Sequence, residues 1–135
     1  AALGTEQIDK LETFIKTKIN NFELYKKGIS EIDGLDLMPF NENIRSNHWF
    51  YSLVVDKEKY GLNKDELLVK LNEVGIQSRP IWGLIHQQKP FKNNRAYMME
   101  RSVYYIDKVL NIPCSTNLTT EEVEIVINRL KEFRK

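Results

Sequence analysis

Cysteine is almost missing from this chain of 135 residues: Cys114 is the only one, so no intrachain disulfide can form. That scarcity suits a reducing compartment. No apolar run approaches the ~20 residues of a membrane-spanning helix. No secretory leader is visible either, because the opening AALGTEQIDKLE turns acidic and helical at once. The expected location is therefore the cytoplasm. The six glycines are scattered, and none builds a phosphate-cradling loop. His48 and His86 are the only histidines. With no histidine pair at i, i+4, no Cys-x-x-Cys and no calcium-loop spacing, no metal site is expected. A charge excess is lacking too: 20 basic and 19 acidic residues leave a net charge of +1. That balance argues against broad binding to nucleic acid or to an anionic membrane. There is no initiator methionine, and Ala1-Ala2-Leu3-Gly4 reads like the interior of a longer polypeptide, so an excised or mature fragment is expected.

What is present is ordinary for a soluble globular domain, 29% charged and 41% hydrophobic. The length suits one domain over residues 1–135, with a single core that needs no cross-link. Thr5 can cap a long amphipathic helix running to about Lys27, its stripe marked by Ile8, Leu11, Phe14, Ile15, Ile19, Phe22 and Tyr25. Asp33-Gly34 signals a turn. Leu35 to Phe40 reads as a short strand that Pro39 pushes to a sheet edge. Trp49 to Val55 is the best strand, apolar on both faces, and is expected to be central with cover on each side. Asn63 and Glu66 have capping-box spacing, Leu67, Leu68, Leu71 and Val74 form a buried stripe, and Gly75 suits the C-terminal cap.

Ile76 to Arg79 then reads as a strand. Asn93 or Asn94 starts a helix with Ala96, Met99, Val103 and Ile106 inward. Val109 to Ile112 is a strand ending at Pro113. Thr119 and Glu122 form a second capping box, before a last helix with Val123, Val126, Ile127, Leu130 and Phe133 as its stripe. The order gives an α+β fold: a small two-layer sandwich with a short, mostly antiparallel sheet and helices on one face.

Catalysis has little to stand on. Cys114 paired with a histidine is not supported by any spacing rule, and a small buried hydrophobe is the simpler role. The run His48-Trp49-Phe50-Tyr51 invites base stacking on single-stranded nucleic acid, but alternation with Leu53 and Val55 fits a core strand better. The loop from Arg79 to His86 is different. Pro80 holds Arg79 extended, where its guanidinium can fork onto phosphate or carboxylate. Trp82 offers a flat wall and His86 a titratable donor. The residues read equally well as an anion-binding loop or as one whose Trp82 plugs the core while Arg79 and His86 are solvated or paired.

In order along the chain stand Ala1 to Gly4 with Gln7-Ile8, then Asn47 to Tyr51. Gly75-Ile76-Gln77-Ser78-Arg79-Pro80-Ile81-Trp82, His86 to Phe91 and Leu110-Asn111-Ile112-Pro113 follow, and Leu118 to Val123 closes the series. Together these motifs resemble the sugar-nucleotide aminotransferases of the DegT/StrS family over essentially the whole chain. Departures are the conservative Ile8, an extra residue within Gln87-Gln88-Lys89-Pro90, and Gly83 where many relatives carry a larger residue. The resemblance implies the C-terminal small domain of a fold-type I enzyme. In such an enzyme pyridoxal phosphate sits on a lysine of a large upstream domain. None of the cofactor-binding or catalytic residues then falls on this chain, and the fragment alone is expected to be inactive and to bind no cofactor. It further implies a homodimeric parent that moves an amino group, with glutamate the expected donor, onto a keto-sugar nucleotide. Arg79, Trp82 and His86 become substrate-lining candidates. An apolar patch on the first helix is expected where the large domain packs. The alternative is a stand-alone module that binds an anionic ligand through the Arg79–His86 loop.

Overall fold

The run of aromatic and aliphatic residues in Tyr51-Ser52-Leu53-Val54-Val55, buried at every second position, builds the centre of the molecule. In the computed structural model, which describes residues 2–135 and the side chains of residues 4–135, Tyr51–Val55 forms strand β2. Tyr51, Leu53 and Val55 are buried toward the helices, while Ser52 and Val54 are half-buried on the opposite face. β2 pairs with β1 (Leu35–Leu37) on one side and with β4 (Val109–Ile112) on the other. A two-residue β3 (Arg79–Pro80) pairs with the far side of β4. The sheet therefore has four strands in the order β1-β2-β4-β3, every pair antiparallel. The α+β sandwich and the central place of β2 agree with the sequence reading, and β1 is an edge strand as Pro39 requires.

Six α-helices lie among the described residues. They are α1 (Ala2–Ile8), α2 (Leu11–Ile29), α3 (Lys57–Tyr60), α4 (Lys64–Glu73), α5 (Glu100–Ile106) and α6 (Thr120–Phe133). α2 and α6 lie together over the sheet, and Tyr25, Leu53, Leu67, Leu110 and Leu130 meet there with no exposed area. Each fully buried leucine contributes about 1.5–3 kcal/mol relative to an exposed one. The core tyrosines find partners where they can. Tyr60 Oη donates to the Leu130 carbonyl at 2.7 Å and Tyr51 Oη to the Lys18 carbonyl at 2.6 Å. Both anticipated capping boxes are closed, Asn63 with Glu66 and Thr119 with Glu122. Because α6 buries Val123, Val126, Ile127 and Leu130 in the core, Thr119→Ala is expected to lower unfolding free energy by about 1 kcal/mol, read as a lower urea midpoint at unchanged slope.

Several boundaries differ from the sequence expectation, each for a local reason. The first helix is two: α1 ends at Ile8, the Lys10 N–H closes a turn on the Gln7 carbonyl at 3.1 Å, and α2 starts afresh at Leu11, running two residues past Lys27 to Ile29. Thr5 lies inside α1 and not at the start of a helix. The apolar rhythm runs through the break, so periodicity alone could not reveal it. β1 stops at Leu37 because, after Met38 N–H bonds the Ser52 carbonyl, Pro39 has no N–H to continue the ladder. β2 begins at Tyr51 because His48 adopts φ 50°, a left-handed conformation that ends the extended run.

The segment before Arg79 is not strand. Its Ser78 N–H goes to Asn72 Oδ1 at 3.2 Å instead of to a neighbouring strand. The fifth helix begins at Glu100 and not at Asn93 or Asn94, since Met98 sits at φ 52°. No residue of α5 is buried, Ala96 and Val103 are exposed, and Met99 and Ile106 are only half-covered. Helices α2, α4 and α6 cover one face of the sheet. The segment from Ile81 to Tyr105 shelters part of the other, burying Val109 and Asn111, so β2 has full cover on one side and partial cover on the second.

Candidate functional site

The open face of the sheet, the Trp82 loop and the N-terminal half of α2 enclose a cleft of about 610 Å³. Its walls come from separate parts of the chain. α2 supplies Lys18, the approach to β2 supplies Trp49 and Phe50, and β3 supplies Arg79. Trp82 closes one side, Asn111 lies on β4, and the turn Cys114–Thr116 forms the far rim.

Three aromatic rings form a connected wall. Trp49 and Phe50 centroids are 4.7 Å apart, Phe50 meets Trp82 edge to face at 5.0 Å, and Trp49 lies 6.0 Å from Trp82. Trp49 is 64% exposed and Trp82 67%. Trp82 therefore does not plug the core, and only Tyr51 of the aromatic run enters it. Arg79 is exposed and makes no ion pair among the described residues.

Lys18 holds the cleft together. Its Nζ donates to the Trp49 carbonyl at 3.1 Å and to the Cys114 carbonyl, tying both rims to α2. Burial pushes its ammonium below the usual lysine range, with the nearby Cys114 thiol acting the other way. Nothing lining the cleft is acidic, so two cations face it without a countercharge. Such a cleft can accept a flat ring against the aromatic wall and an anionic group beside Arg79.

Of the three candidates read from the loop, two stand together. Arg79 and Trp82 line the cleft. His86 sits farther on, in a 3₁₀ turn at Ile85–Gln87, half-buried, with its Nδ1 shielded and unpartnered, and it is not part of the lining. Sequence reasoning missed Lys18, Trp49 as a wall residue, and Asn111. For Asn111 a signal existed: it is the one polar residue of a four-residue strand buried throughout. Lys18 gave none, since a lysine beside an apolar stripe looks like any solvated one. No hydrogen bond among the described residues joins the Cys114 thiol to either histidine, and no group of residues there could hold a metal ion.

His48 belongs to the packing behind the cleft. Its ring lies 3.9 Å from Phe40 and 5.1 Å from Phe22, and its Nδ1 is shielded without a partner. Desolvation lowers its pKa, opposed by Glu23 and aided by Lys18. A histidine whose folded pKa lies below the unfolded value contributes stability that is present above about pH 6.5 and lost as pH falls through the folded value. The unfolding midpoint in urea should thus drop between pH 7.5 and 5.5, above the range in which Glu31 and Glu121, both depressed, begin to take up protons. His48→Phe keeps the ring contacts and should flatten that slope.

Pyridoxal phosphate would need a free lysine amine, an acid for its ring nitrogen and a cup of phosphate donors. The lining offers one lysine with its ammonium spent on two carbonyls, and no carboxylate. These residues alone do not fit the cofactor.

The fold and cleft thus define a small α+β domain with an open cleft of aromatic and cationic lining. The chain belongs to the DegT/DnrJ/EryC1/StrS aminotransferase family, whose model matches residues 1–131. It is 26% identical to GDP-perosamine synthase of Vibrio cholerae over 98% of this chain and 36% of that protein. The crystal structure of DesI with its TDP-sugar product superposes with a TM-score of 0.88 at 17% identity, over 97% of this chain and 34% of that one. Spr1654 from Streptococcus pneumoniae, solved in a PLP form, gives a TM-score of 0.82 at 19% identity, over 97% and 34%. The chain spans about a third of the length of the curated relatives it matches. No helix of the described residues is long and apolar enough to cross a membrane.

Proposed function

We propose that residues 1–135 are the C-terminal small domain of a pyridoxal-phosphate-dependent aminotransferase. The whole enzyme would move an amino group, with glutamate as donor, onto a keto-sugar nucleotide. One observation carries the reading: a family match running the length of the chain ends in a cleft with an aromatic, cationic wall and no residues for the chemistry itself. Half a pocket is what a small domain contributes when the cofactor belongs to another domain. Arg79 and Trp82 are the substrate-facing residues on this reading. His86 is the third, from the same loop, through hydrogen bonds to sugar or phosphate oxygens. The parent is read as a cytoplasmic homodimer.

The upstream domain has a seat available. Ile8 is 69% exposed and Leu11 48%, so the apolar stripe of the first two helices begins uncovered and becomes buried only from Phe22 onward. Dye binding to the isolated chain, lost when the upstream domain is restored, is the matching observation.

The deciding experiment is an absorbance titration with pyridoxal phosphate on two polypeptides, this chain and the chain extended by the coding sequence before it. The extended protein should develop a Schiff-base band that an amino donor bleaches, while the short one stays colourless. If both stay colourless, a stand-alone module for an anionic ligand becomes the better reading. Two uncompensated cations in the cleft favour that second reading over any other.

A further inference from the structure

We infer that Asn111 is a specificity-determining residue that forms, with Arg79, a clamp for one oxyanion: a carboxylate or a phosphate. The inference rests on reading the cleft as a substrate face, and its probes are chosen so that the two can fail separately.

The sheet register sets the clamp. Ser52 stands opposite Asn111 across the β2–β4 pair, and Arg79 stands opposite Asn111 across the β3–β4 pair. Residues directly opposed in antiparallel strands project from the same face. Ser52, Asn111 and Arg79 therefore form one polar row across three strands, on the face away from the helices. The rest of β4 is Val109, Leu110 and Ile112, all buried.

A primary amide is a costly choice in that strand. Asn111 is 7% exposed, and a buried amide is destabilising unless its donors and acceptor are matched. Ser52 Oγ donates to Asn111 Oδ1 at 3.0 Å, which satisfies the acceptor and fixes the plane of the amide. Asn111 Nδ2 has no hydrogen-bond partner among the described residues. It is not among the sealed, orphaned polar atoms, and Asn111 lines both the Arg79 cleft and the adjoining hollow that Ser52, Ser102 and Tyr105 share. A leucine or valine would pack this position without that unmet donor.

The charge of the neighbours selects the ligand. Arg79 is exposed without an ion pair, and no carboxylate lines the cleft. The second cation, Lys18, is committed to two carbonyls. A guanidinium fork grips two oxygens of a planar or tetrahedral anion, and a fixed N–H beside it sets the angle at which the anion enters. Ser52 acts through Asn111 by orienting it.

The test uses the polypeptide extended by its upstream coding sequence, with intrinsic tryptophan fluorescence as readout, since Trp49 and Trp82 flank the clamp. Two probes represent the two sources of an oxyanion: glutarate for an amino-acid donor and thymidine diphosphate for a nucleotide sugar. Asn111→Leu should weaken one probe about tenfold, the worth of one hydrogen bond to a charged group, and spare the other. Asn111→Asp should weaken the same probe further, by setting a negative charge against it. Ser52→Ala should weaken it a few-fold, with a urea midpoint somewhat lowered by the acceptor left unmatched. Loss confined to glutarate assigns the clamp to the donor carboxylate, and loss confined to the diphosphate assigns it to the nucleotide. Unchanged binding of both probes to Asn111→Leu and Asn111→Asp overturns the inference, and should the leucine variant not fold, Asn111→Asp and Ser52→Ala decide it. None of these readings needs bound cofactor or turnover, so a missing Schiff-base band would sink the enzyme reading and leave the clamp standing.

Discussion

Gly34→Ala is expected to lower the unfolding free energy by about 2–4 kcal/mol, the sum of a left-handed residue other than glycine and an overpacked contact. Gly34 has φ +85°, and a Cβ there would collide with the Tyr60 backbone nitrogen and stand 2.8 Å from Tyr60 Cβ. Neither neighbour can give way cheaply. The Tyr60 N–H is bonded to the Asp56 carbonyl at 2.9 Å, and the Asp56 N–H is bonded to the Gly34 carbonyl at 2.8 Å. Tyr60 itself is fully buried, with its hydroxyl on the Leu130 carbonyl. The turn before β1, helix α3 and helix α6 are thus locked through one position without a side chain.

Gly75 is the control. It has φ +80° but nothing within 4 Å of an added Cβ, so Gly75→Ala carries only the conformational cost of about 1–2 kcal/mol. Urea midpoints of the two variants separate the terms. Equal losses would mean that the Tyr60 contact relaxes freely and that the turn is not a lock. For a domain with a total stability of ~5–15 kcal/mol, the larger figure is a substantial share.

The turn at Asp33-Gly34, the strand Val109–Ile112 and both capping boxes were legible because each depends on a few adjacent residues and a strong local preference. The sheet centre was legible because β-branched and aromatic residues cluster there. What escaped depended on long-range partners. The spacing of Ala96, Met99, Val103 and Ile106 predicts a helix from Asn93, yet Ala96 and Val103 are exposed and Met99 and Ile106 only half-covered. Spacing reports an apolar stripe and cannot report whether a partner covers it. Trp49 looked like a core residue by alternation, until the left-handed His48 placed it outside the ladder. Lys18 joins the cleft through carbonyls 31 and 96 residues away, which no local pattern encodes. Arg79 and Trp82, which line the cleft, stand out in the sequence because a loop so rich in polar and aromatic groups exceeds what a turn requires. Asn111 was within reach for the converse reason, as the one amide in a buried apolar strand.

If the proposed function holds, Arg79→Ala in the polypeptide extended upstream should reduce kcat/KM for the anionic substrate by about 10²–10³-fold, because two charge-assisted hydrogen bonds of the guanidinium fork would be lost together. Stability should not follow. The side chain is exposed with no ion pair among the described residues, so the unfolding free energy from urea titration should stay within about 0.5 kcal/mol of the unsubstituted protein. Arg79→Lys keeps the charge but gives up the planar fork, and recovery of the charge alone should leave it intermediate, roughly tenfold down. The split between kcat and KM tells which step the arginine serves. A raised KM with kcat unchanged marks binding held equally in ground and transition states, whereas an equal fall in kcat and kcat/KM marks an interaction that forms only as the reaction proceeds. Combining Arg79→Ala with Asn111→Leu supplies the last distinction. If both groups grip one anion, the double variant should lose less than the product of the single losses, since the amide has little left to orient once the fork is gone. Fully multiplicative losses would place Arg79 and Asn111 on different parts of the ligand, and an Arg79→Ala enzyme with undiminished kcat/KM would remove the cleft from the active site altogether.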